Sequence, residues 1–221
     1  MEQNYTAISS ASSSALATNK LIRNTYSLLS MTLIFSGVMA FIGISSGASF
    51  GLALVADIAA IAMLWFVLPR TANSGAGIGV LFAITGLLGY GLGPILSHYL
   101  AVNPSIVMTA LGGTGAIFLG LSGYALTTRK DFNFLAGFLT VGFIVVLGAA
   151  LLNIFLAIPA LYLTINAAVV MIMSGFILFQ TSQLVNGGET NYIMATAGLF
   201  LSILNLFQAL LQLLGAFSGD D

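Results

Sequence analysis

The chain has 221 residues, 59% of them hydrophobic and 5% charged, with five Lys or Arg, six Asp or Glu and a formal net charge of −1. A soluble domain carries about 25% charged residues, so this composition, with a mean hydropathy of +1.08, excludes a surface that faces water. The near-neutral balance excludes nucleic acid as an implied partner, and the absence of Cys excludes disulfides and thiolate metal sites.

Met1 to Thr18 is polar, rich in Ser and Ala, and carries only Glu2 as a charge. Lys20 and Arg23 follow it and directly precede the first long apolar block. A signal peptide has the reverse order, basic residues and then an apolar core. Residues 1–19 therefore read as a flexible cytoplasmic tail, residues 20–217 as one transmembrane domain, and residues 218–221 as a short C-terminal tail.

A helix needs about 20 apolar residues to cross the hydrocarbon layer. Seven segments qualify: 24–44, 50–68, 77–96, 106–127, 134–156, 160–179 and 193–214. The breaks carry turn chemistry in Gly47, Pro69-Arg70, Asn103-Pro104 and Asn186-Gly187-Gly188. The Ile158-Pro159 break admits two readings, a loop between spans five and six or a re-entrant bend within one long apolar stretch. With seven spans, Lys20, Arg23, Arg70, Arg129 and Lys130 all fall at one end, while the loops near Ser46, His98 and Ile158 have no Lys or Arg. The positive-inside rule then places the N-terminus in the cytoplasm and Gly219-Asp220-Asp221 outside. The rule constrains the first four spans, since the last three have no cationic flanks.

Ionisable and amide side chains are costly in hydrocarbon, so each is a functional candidate. Asp57 is the only charge within a span, lying about two turns from the uncharged end of span two. It reads either as a protonatable, cation-attracting group or as a neutral carboxyl near the interface. Span seven carries Ser202, Asn205, Gln208 and Gln212. At about 100° per residue these fall within about 120° of one another. Such a stripe turns inward, toward other helices or a hydrated cavity, with Gln180, Asn153 and Asn166 as partners in the same interior. Spans three and four are glycine-rich. Gly89 and Gly93 form a small-xxx-small face, and close helix packing is the expected use of the glycines in both spans.

Several short motifs lead nowhere. Gly120-Leu121-Ser122-Gly123 matches the serine motif of rhomboid intramembrane proteases, but a serine nucleophile needs a base within hydrogen-bond reach. The only histidine, His98, belongs to the other end of the bundle, roughly 24 Å of helix rise away. Gly89-Tyr90-Gly91 lacks the Thr-Val that precedes a potassium filter. No metalloprotease, P-loop or dinucleotide fingerprint is present, and one His with no Cys makes no zinc set. Neither catalysis nor a cofactor is expected.

Longer segments carry a resemblance. Leu21-Ile22-Arg23-Asn24-Thr25-Tyr26-Ser27-Leu28-Leu29-Ser30, the run from Gly86 to Leu96, Ala125-Leu126-Thr127-Thr128-Arg129-Lys130-Asp131, Gly187-Gly188-Glu189-Thr190-Asn191-Tyr192 and Asn205-Leu206-Phe207 resemble the bacterial Bax inhibitor-1 family. The resemblance covers nearly the whole chain from Lys20. It implies an all-α polytopic protein of the bacterial inner membrane, six helices surrounding a central seventh. It also implies one of two functions. The first is binding and modulating an FtsH-type membrane AAA protease complex. The second is a pH-sensitive calcium or cation leak gated by two aspartates on spans six and seven. The positions aligned with those aspartates are Gln180 and Ser202, which hydrogen-bond but do not titrate. That substitution turns the expectation toward protease modulation, with Gln180, Ser202, Asn205, Gln208 and Asp57 as the candidate central positions.

Overall fold

The computed structural model describes the backbone of residues 2–218 and the side chains from Leu16 onward. Seven helices among the described residues are long and apolar enough to span a membrane. They are α1 (Leu16–Ser45), α2 (Phe50–Thr71), α3 (Ala76–Val102), α4 (Pro104–Thr128), α5 (Leu135–Leu156), α6 (Pro159–Asn186) and α7 (Tyr192–Phe217). The α1 backbone is helical from Glu2. Residues 2–19 contain neither Gly nor Pro, the residues that most often end a helix. Met1 and Gly219 to Asp221, most of the expected C-terminal tail, lie outside the described residues.

Helix ends follow the local sequence. Ser49, Asn103 and Asn191 cap α2, α4 and α7 by accepting hydrogen bonds from first-turn N–H groups. Gly47 and Gly187 take the left-handed conformation that closes α1 and α6. The Ile158-Pro159 break is a true interhelical turn. Ala157 is left-handed at φ 50°, the Asn153 side chain accepts from Ile158 N–H at 3.1 Å, and Pro159 opens α6.

Two prolines inside spans leave marks. Before Pro69, α2 widens into a π-turn over Met63–Val67, with Leu68 N–H donating to the Met63 carbonyl. Arg70 and Thr71 donate back to the Phe66 and Val67 carbonyls, supplying partners in the turns disturbed by the proline. In α3, helix geometry breaks at Leu92, ahead of Pro94.

The loops following α2, α4 and α6 share one end of the bundle, and with them the five basic residues. The Asn191 amide at the start of α7 donates to the Ala72 carbonyl (3.0 Å) and to Asn73 Oδ1 (2.8 Å) in the α2–α3 turn. Ser182 and Asn186 near the end of α6 donate to the Lys130 carbonyl in the α4–α5 loop. This is the basic end; the opposite one is the neutral end.

Burial is uneven. Half of the spanning stretch is buried in α3 and in α7, against 6% in α5. Helix α7 packs against α1, α3, α4 and α6; α5 packs on α6, and α2 on α3. The seventh helix is therefore interior, as expected, although α2 and α5 form an outer flank rather than part of a ring. Helices α1 and α3 approach each other backbone to backbone. A Cβ on Gly89 would stand 2.3 Å from the Ser36 carbonyl oxygen, and one on Gly93 would stand 2.7 Å from the Gly43 carbonyl carbon. By contrast, Gly112, Gly115, Gly120 and Gly123 of α4 have no outside atom within 4 Å of an added Cβ. Gly86, Gly89, Gly91 and Gly93 of α3 serve close packing, as expected. These four of α4 do not, and Gly113 makes only ordinary contact, its Cβ position 3.6 Å from Leu210 Cδ1.

Candidate functional site

The α7 stripe does not form one site. Ser202 is buried, and its hydroxyl donates to Gln180 Oε1 at 3.3 Å. Room for the Gln180 amide comes from Gly198, where a Cβ would stand 3.2 Å from Gln180 Nε2. Gln180 and Ser202 thus meet across the α6–α7 contact. A hydroxyl and a carboxamide have no proton to share or release near neutral pH, so this contact cannot act as a carboxylate pair would.

Asn205, Gln208 and Gln212 lie on the neutral-end side of Ser202 and line a cavity of about 410 Å³. Asn153 of α5 and Tyr162 and Asn166 of α6 complete its polar wall. Tyr162 donates its hydroxyl to Gln212 Oε1, Asn166 Nδ2 donates to the Tyr162 carbonyl at 2.9 Å, and Asn205 Nδ2 donates to the Leu201 carbonyl at 2.8 Å. The expectation that Asn153 and Asn166 share an interior with the stripe holds for the end of α7 beyond Ser202. Tyr162 was not singled out from the sequence. The signal available was its place one helical turn before Asn166, on the same face.

Gln180 opens instead on a second cavity, about 370 Å³, at the basic end, lined also by Gln183, Glu189, Met194 and Gly198. Glu189 accepts from the N–H groups of Thr190 and Asn191, which folds the α6–α7 turn around it. The two cavities approach each other along α6 and α7. Only about 4.5 Å of helix rise separates Ser202 from Asn205. Ile172, Met173 and Ile177 of α6, which run between the two ends, are buried. The two cavities share no lining residue, and the Gln180–Ser202 hydrogen bond lies on the α6–α7 contact.

Asp57 stands apart from this set. Its carboxylate lies over Gly91 of α3, so close that a Cβ there would be 2.2 Å from Oδ1. It belongs to the α2–α3 contact and not to α7. Ser122 is buried with its Oγ 3.3 Å from Thr181 Oγ1, and Tyr26 reaches the same Thr181 oxygen at 3.3 Å. The single histidine is exposed near the neutral end, edge-on to Tyr99 at a ring separation of 5.3 Å. Ser122 is thus part of a hydroxyl cluster joining α1, α4 and α6. A third cavity, of about 460 Å³, is an apolar cleft between α1 and α4 whose floor includes Phe200, Leu204 and Phe207 of α7.

Comparison with known proteins places this arrangement. A family model described as Inhibitor of apoptosis-promoting Bax1 matches residues 18–219. An uncharacterised membrane protein of Vibrio cholerae is 48% identical over 208 residues, 93% of each chain. The Escherichia coli K12 protein named Modulator of FtsH protease YccA is 48% identical over 213 residues, 94% of each chain. A Neisseria meningitidis protein is 34% identical over 213 residues, covering 92% of this chain and 93% of its own. A match across seven membrane-spanning helices, in order and over almost the full length, shows that this polytopic membrane protein belongs to the Bax inhibitor-1 family.

Proposed function

We propose that this chain is an integral inner-membrane regulator that binds and modulates an FtsH-type membrane AAA protease. The observation that carries the reading is its 48% identity, over 94% of both chains, to the E. coli modulator of FtsH protease. The uncharged Gln180–Ser202 contact supports it, because a regulator acting by association needs no titrating pair at the centre. The role is non-catalytic. By the positive-inside rule the basic end faces the cytoplasm, with the N-terminus inside and the C-terminus outside.

The test is co-purification from native membranes in mild detergent, together with the half-lives of the protease's substrates in a strain lacking the chain. Association and altered half-lives are expected. Their joint absence refutes the role. The polar cavities on either side of the Gln180–Ser202 contact favour a second reading, a calcium or proton leak along α6 and α7. Dye-loaded liposomes decide it: flux that varies between pH 6 and 8 supports a leak, and no flux excludes it.

A further inference from the structure

We infer that the neutral-end cavity between α5, α6 and α7 is the docking site for a transmembrane helix of the partner protein, one that carries an uncharged amide or hydroxyl side chain. The inference rests on the protease-modulator reading and names the surface through which the partner is held.

Three observations carry it. First, the cavity is polar but has no formal charge. Its polar side chains are Asn153, Tyr162, Asn166, Asn205, Gln208 and Gln212. An ion at this depth would have no counter-charge in the wall, which is costly in hydrocarbon. Second, the wall has unused hydrogen-bonding capacity. Asn166 and Asn205 spend their Nδ2 groups on backbone carbonyls of their own helices and leave both Oδ1 acceptors free. Gln212 accepts from Tyr162 through Oε1 and leaves Nε2 free as a donor. Among the described residues Gln208 makes no hydrogen bond, and none of these free atoms is among the buried, unpartnered ones, so all are within reach from the cavity. Free donors and acceptors side by side suit a group that is itself both, such as a carboxamide or a hydroxyl.

Third, the rim is apolar and faces lipid. Leu151 and Ile154 of α5 are 55% and 72% exposed, on the helix with the least buried surface in the bundle. Asn205 lies near the middle of α7. A polar floor behind a lipid-facing rim is poorly satisfied by acyl chains. A helix entering from the bilayer brings its own apolar surface for the rim and one polar side chain for the floor.

The experiment uses the full-length chain in native membranes. A photo-crosslinking amino acid replaces Leu151 in one strain and Ile34, on the exposed face of α1, in another. Crosslinking of Leu151, and not Ile34, to a transmembrane segment of the FtsH-type protease is expected. In a Gln208→Leu background the Leu151 yield should fall about three- to tenfold, the range of one interhelical amide bond. That substitution removes no hydrogen bond within the chain, so the fold is retained. The inference is overturned if the protease crosslinks from Ile34 alone, if Leu151 captures only lipid while the complex still co-purifies, or if Gln208→Leu leaves the yield unchanged. Absence of both crosslinks and co-purification refutes the protease reading itself.

Discussion

Replacing Gly89 with alanine sets a methyl group 2.3 Å from the Ser36 carbonyl oxygen and 2.8 Å from Ser36 Cα. Ordinary contact begins near 3.4 Å, and both obstacles are backbone atoms of α1. No rotamer change relieves the overlap, so α1 and α3 must move apart by about an ångström. Overpacking of this kind costs about 1–3 kcal/mol. For a chain of this size each kcal/mol lowers the melting temperature by about 2–4 °C. Gly89→Ala should therefore melt about 2–12 °C below the parent, measured by loss of the monodisperse chromatographic peak after heating in detergent. Gly120→Ala is the matched control. It has open space around the added methyl and gains up to about 1 kcal/mol of helix propensity, so it should melt at or slightly above the parent. Equal melting of Gly89→Ala and the parent, or an equal drop in both variants, would refute the argument that α3 glycines set the α1–α3 distance.

Gly91→Ala should also destabilise, since its methyl meets the Asp57 carboxylate at 2.2 Å. Adding Asp57→Ala should recover at least half of the lost melting temperature, a coupling that a double-mutant cycle measures. Asn191→Ala removes the α7 cap and the tether to Ala72 and Asn73 and should cost about 0.5–2 kcal/mol; Asn191→Asp, which keeps the cap acceptor, should lie between it and the parent. Replacing both Gln180 and Ser202 with Asp brings two carboxyls to positions now in hydrogen-bond contact. Such a pair shares a proton, so the double variant should acquire pH-dependent calcium flux in liposomes that the parent lacks, and flux in neither would separate this contact from gating.

The spans were legible because most breaks carry Gly, Pro or Asn, and because the five cations fall at one end only with the first four spans counted as they are; the α4–α5 turn instead pivots on Arg129, left-handed at φ 50°. The inward turn of the α7 stripe was legible for the same kind of reason, a polar arc too wide for lipid. What the arc faced was not. Ser202 and Asn205 are three residues apart on one face, yet Ser202 is buried against Gln180 while Asn205 lines a cavity. The glycines of α3 and α4 look alike in sequence, and only the path of α1 across Gly89 and Gly93 separates close packing from an open face. The π-turn before Pro69 was hidden as well, since a proline near a helix end permits a stop, a kink or a widened turn. Asp57 read as one of the candidate central positions. Its partner proved to be Gly91, a residue whose lack of a side chain gives no hint of what rests on it.

The thin attachment of α5 has a mechanical consequence. A strut held along one side by α6, with lipid elsewhere, can tilt without disturbing the buried layer on which the fold depends. The width of the gap between it and α7 is then set as much by bilayer thickness and lateral pressure as by the chain itself. Reconstitution in thin and thick membranes should change the reach of probes into that gap while the melting temperature holds steady.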